Sequence, residues 1–210
     1  MNQTTAEMNL RPLGLKKMIW ADKKRQVSQI DAAPKKIEMW TTVGLSGQVY
    51  APVFPAVAKK YGGPIASFHL LLFSKNDNSI LLTKLSNAKS FAPALHRPVP
   101  YLSTPDQAMF AAVQQTLGIK PRNLDCSYLT GYFYEPPVAS QATALDEFIH
   151  LFIAKYDGEI IPDPAELDWA AWFEFSLVNK LNLGRLDRHY LSLFPNSLRT
   201  DLKLFIQHGI

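Results

Sequence analysis

The clearest hydrophobic pattern in the chain runs from Ser103 to Ile119. Ala108, Met109, Ala112, Val113 and Leu117 recur at three- and four-residue steps, which predicts a helix with one buried face. Its ends are written in. Thr104 fits an N-cap, Pro105 the first helical position and Gln107 a Thr-x-x-Gln capping box, while Gly118 suits the C-cap. Before it, Ile65 to Phe73 is an almost continuous apolar run, Lys75 to Asn78 is turn chemistry and Ser79 to Leu85 is a second strand; together they read as a hairpin. Ser86 to Ser103, with Pro93, Pro98 and Pro100, reads as a long loop of the kind that often carries function. Tyr128 to Tyr134 and Phe148 to Tyr156 are strand-like, and Asp157-Gly158 ends the second.

The ends of the chain carry weaker patterns. Trp40 to Val43 has strand composition, and Pro55 to Tyr61 reads as a brief helix stopped by Gly62-Gly63. Gly14 to Ile30 fits a short helix of weak period, and Ala33 to Lys36 a turn or linker. Ser176 to Leu181, Arg185 to Phe194 and Asn196 to Gln207 read as helices.

Charge changes the picture at the N-terminus. Residues 1–60 hold 10 Lys+Arg against 4 Asp+Glu, a net of +6; the remainder holds 12 against 14, a net of −2. This basic segment is either a solvated extension or an electrostatic contact for nucleic acid, anionic lipid or an acidic partner. At 47% hydrophobic and 11% aromatic the chain can bury a core, and no apolar run approaches the roughly 18 residues of a membrane span. The N-terminus lacks the apolar region of a signal peptide. One cysteine, Cys126, cannot form an internal disulfide, which fits a reducing, cytoplasmic setting.

The order of elements around the capped helix resembles the Nudix superfamily over about residues 62–183. That family's signature is G-x5-E-x7-R-E-U-x-E-E-x-G-U, with U aliphatic. Set on Gly118-Ile119, it falls on Arg97, Ser103, Ala111, Ala112, Val113, Gln115, Thr116, Gly118 and Ile119. The aliphatic and Gly-Ile positions match; the arginine and every glutamate are absent. The bend Ile161-Pro-Asp-Pro164, then Glu166 and Trp172, also resembles the family. The nearest flavour is isopentenyl-diphosphate isomerase. Its catalytic cysteine position falls here on His96 and one metal-binding histidine position on Pro98; of its Glu-x-Glu motif only the second member, Glu147, is kept.

The resemblance implies an α/β fold: a Nudix-like α/β/α sandwich with a mixed sheet, plus an N-terminal extension and C-terminal helices. It divides the chain into a basic extension at 1–61, packed on the domain or extending from it, a Nudix-like domain at 62–183 and a helical tail at 184–210. In that family the glutamates hold Mg²⁺, a hard cation that takes carboxylate oxygens. Ala112, Gln115 and Thr116 lack that charge, so the expectation is a catalytically degenerate protein. It would bind a phosphorylated small ligand or a protein partner without Mg²⁺-dependent hydrolysis, and no cofactor. The alternative is a divergent hydrolase of nucleoside or isoprenoid diphosphates working through other carboxylates, and only then Mg²⁺.

Candidate residues follow from chemistry at the loops and strand ends. Glu147, with Asp146 or Glu135, offers a general base or a carboxylate set outside the signature. His96 and Arg97 in the proline-rich loop, with Lys84 and Lys89, offer a phosphate site. His150 alternates with Phe148 and Phe152 and lines a cavity or simply packs. His69, inside an apolar strand, reads as a core residue, and the aromatic-rich second half as core packing or a stacking surface. No Gly-rich phosphate loop, zinc spacing or nucleophile elbow occurs.

Overall fold

A computed structural model of the 210-residue chain describes residues 15–20, 38–61, 63–76, 78–85, 92–135 and 145–174. Its centre is β4 (Ile65–Ser74), nine of whose ten residues are buried. A strand apolar on both faces needs cover on both, and the near-continuous apolar run is the sequence form of that demand. β9 (Glu147–Tyr156) lies parallel to β4 along its whole length, from Ile65↔Glu147 to Ser74↔Tyr156. β8 (Asp125–Tyr134) is antiparallel to β9.

The other edge of β4 divides. β5 (Ser79–Leu85) pairs with it only at Phe73↔Ile80 and then splays away, toward β10 (Leu167–Glu174). Into the opening come β6 (Ala92–Pro93) on β5 and β7 (Leu95–Pro98) on β4. The proline-rich stretch is thus partly strand, contrary to the loop expected; Pro93 and Pro98 end these short strands, where a missing N–H costs least. β2 (Trp40–Val43) meets the start of β4 and forms a hairpin with β3 (Val49–Val53). α1 (Pro55–Tyr61) follows.

Residues 15–20 correct the sequence reading. They form β1 (Leu15–Trp20), antiparallel to β10, instead of a short helix. Pairing with an available sheet edge outweighs a weak helical period. The C-terminal helices, Lys89 and the basic run 23–36 lie outside the described residues. Within the described residues the sheet is mixed and α/β in class, as the resemblance implied. Among them, no helix is long and apolar enough to cross a membrane.

α2 (Pro105–Leu117) is the helix the sequence announced. Thr104 Oγ1 accepts from the Gln107 N–H, and Gln107 Oε1 accepts from the Thr104 N–H at 3.1 Å. Gly118 ends it at φ 69°, and its N–H donates to Gln114 O. A side chain there would be strained, and its Cβ would meet Ile161 Cβ at 3.0 Å. The helix packs Met109, Val113 and Leu117 on the face of the sheet that carries Phe68, Leu70 and Phe152.

Candidate functional site

β7 carries two neighbouring residues, His96 and Arg97, whose side chains leave on opposite faces because strand side chains alternate. His96 sits opposite His69 of β4, and their rings stack with centroids 5.7 Å apart. Along this face the pairing of β4 with β9 brings Glu147 level with Ile65 and close to Ser67. His96 Nε2 lies 2.8 Å from Glu147 Oε2. Burial raises the Glu147 pKa, but the His96 charge, the His96 hydrogen bond and the Ser67 hydroxyl outweigh it, so its net pKa lies below the ordinary value. His69 is fully buried, and burial, with His96 next to it, holds its pKa well below that of a free histidine.

Arg97 turns to the α2 face. Its partners arrive by a backbone device at the end of the helix. The last carbonyls of a helix lack intrahelical donors; here Ile161 N–H donates to Leu117 O and Asp163 N–H to Thr116 O, both at 2.9 Å. The bend 161–166 is thereby tied to α2, and Asp163 O accepts from the N–H groups of Glu166 and Leu167. Glu166 then faces Thr116 and Arg97. Arg97 Nη1 donates to Glu166 Oε1 at 3.2 Å, and Nη2 donates to Glu166 Oε2 and, at 3.0 Å, to Thr116 Oγ1. The Thr116 hydroxyl donates onward to Glu166 Oε2 at 2.7 Å, and the Gln115 amide reaches Oε1 at 3.4 Å. Burial raises the Glu166 pKa; the hydrogen bonds from Arg97 and Thr116 and the guanidinium charge more than offset it, so Glu166 is held below its ordinary value.

The other expected site residues scatter. Lys84 is drawn to Asp168 at 3.1 Å across the β5–β10 pair. His150 shares the face of Phe148 and Phe152, as the alternation predicted, and packs against Phe148 and Tyr128; burial lowers its pKa. Asp146 gives its backbone carbonyl to the Ile65 N–H, and Glu135 is exposed. The carboxylate trio Glu135, Asp146 and Glu147 does not gather: among the described residues no three His, Cys, Asp or Glu side chains meet as metal holders. Cys126 is half-buried, with its thiol pushed up to about 12 by burial and by Asp125.

Glu166, Thr116, Gln115 and Ser67 were not among the expected site residues. Glu166 was legible only as a family-like residue after a bend, and Ser67 lay inside an apolar run. A polar residue opposite a loop cation is visible only once strand register is known.

No family model matches the chain, and no curated protein sequence matches it. Solved structures do. A Deinococcus radiodurans protein is 12% identical, with a TM-score of 0.61, covering 75% of this chain and 100% of its own. The Nudix domain of Shewanella oneidensis NrtR, complexed with ADP ribose, is 12% identical with a TM-score of 0.52 over 67% of this chain and 92% of its own. Escherichia coli dihydroneopterin triphosphate pyrophosphohydrolase gives 12% and 0.51 over 61% and 93%. The chain has the Nudix fold.

The resemblance implies Mg²⁺ at the α2 positions, and the residues do not fit it. Ala112 offers no ligand, Gln115 and Thr116 are neutral, and among the described residues the carboxylate that bonds to them, Glu166, already holds a cation in Arg97.

Proposed function

We propose that this protein is a catalytically degenerate Nudix-fold binder of a small phosphorylated ligand, of the nucleotide class, that works without Mg²⁺-dependent hydrolysis. The observation that carries the reading is the Arg97–Glu166 pair at the end of α2, where the resemblance calls for metal-holding glutamates. Oxygen-rich carboxylate sets are what hard dications need, and this one is neutralised from within. The ligand class is suggested by two structural relatives, one complexed with ADP ribose and one named for a pterin triphosphate. The cytosol is the compartment we assign, because the single cysteine, Cys126, cannot form an internal disulfide. Calorimetry with ADP-ribose and nucleoside diphosphates in EDTA tests it. Binding unchanged by EDTA, with no phosphate released in Mg²⁺ or Mn²⁺, is the expected result; metal-dependent turnover would sink it.

A divergent hydrolase is the second reading, favoured by one observation: Glu147 and His96 form a close, half-buried acid–base pair on the other face. Turnover abolished by Glu147→Gln would select it. A protein partner in place of a small ligand is the outcome indicated if no phosphorylated compound binds.

A further inference from the structure

Three segments distant in sequence, β7 through Arg97, the last turn of α2 through Thr116 and the bend before β10 through Glu166, meet at one guanidinium. Around it stand two carboxylate oxygens and a hydroxyl, with an amide beside them. Oxygens of this hard type are what a divalent cation takes. The cation among them is instead a side chain, permanently charged and shaped for a carboxylate fork. The cluster keeps a wet edge, with the Arg97 and Glu166 side chains 31% and 21% exposed, whereas Thr116 is wholly buried. The hydroxyl of Thr116 both accepts from Arg97 and donates to Glu166, so its orientation is set by the pair.

We infer that Arg97 is a built-in cation standing in for a divalent metal at the C-terminal end of α2, and that removing it while placing one carboxylate at position 116 converts the cluster into a divalent-cation site. This deepens the metal-free reading above by assigning its cause to one residue. The substitution exchanges a cation that must be captured from solution for one delivered by folding. It also gives β7, α2 and the 161–166 bend a shared tie that no chelator can remove.

The test uses Mn²⁺ alone as probe, on full-length wild type, Arg97→Met/Thr116→Glu, and the same double variant with Glu166→Gln. Free Mn²⁺ is followed by electron paramagnetic resonance, and Tm is read with and without the ion. The expected result is no Mn²⁺ uptake or Tm change in wild type, at least about tenfold tighter binding with a raised Tm in the double variant, and loss of both in the triple variant. Equal binding by wild type and double variant overturns the inference, as does a folded double variant that ignores Mn²⁺ or a triple variant that binds as well as the double. Should the double variant be unfolded without metal, circular dichroism is followed as Mn²⁺ is added: recovery supports the inference and no recovery overturns it. Ligand binding by wild type is a separate measurement, so failure of the functional reading leaves this result standing, and the reverse.

Discussion

Two adjacent residues of β7 feed two unlike ion pairs. His96 faces Glu147 through one ring nitrogen, beside a fully buried histidine, on the sheet face away from α2. Arg97 grips Glu166 with both terminal nitrogens and donates to Thr116 on the α2 face, where Gln115 also donates to Glu166. The first pair joins a carboxylate to an imidazole, whose donor or acceptor role depends on its tautomer. The second joins a carboxylate to a guanidinium, which stays charged.

The largest effect should come from Arg97→Met, which strands the Glu166 carboxylate. A fully buried pair loses ~3–5 kcal/mol this way; the wet edge here brings the expected cost to about 2–3 kcal/mol, read from urea midpoints. His96→Phe removes one hydrogen bond from Glu147 and should cost less, about 1–2 kcal/mol. A reversed order of these two would break the comparison. Thr116→Val removes only the bridging hydroxyl, for about 1 kcal/mol, and should make Arg97→Met less costly when the two are combined, because both act on one carboxylate.

Acid sharpens the contrast further. The folded-state pKa values of His69 and His150 are lowered, so the unfolded chain takes up their protons first and stability falls as pH drops below about 6.5. Glu147 and Glu166 are also lowered, but as acids: their stabilisation is present above the free glutamate value of about 4.3 and is lost only as pH falls below it. A Tm–pH profile should show two descending steps. His69→Leu should shrink the upper step and Arg97→Met the lower one. A single step near pH 4 would contradict the assignment.

Much of the frame was legible because it rests on local chemistry. The capping box at Thr104 and Gln107, the αL glycine at 118 and the apolar run at 65–73 each report forces acting within a few residues, and each stands where the pattern put it. That His150 shares a face with Phe148, against which its ring packs, followed from period two alone. The 15–20 strand was misread because its partner, β10, lies some 150 residues away in sequence.

By itself the sequence determined the capped helix α2 and the strands β4, β5 and β9, and that the signature positions of α2 carry Ala112, Gln115 and Thr116 in place of carboxylates. Only the tertiary structure decided that Glu166 returns to those positions and that Arg97 meets it there, and that Glu147 chooses His96 over Asp146 and Glu135. The reason is physical. Local structure is set by backbone hydrogen bonds and side-chain period over one or two turns, whereas an ion pair is set by which strands lie side by side, and the splaying of β5 from β4 is what lets β7 in.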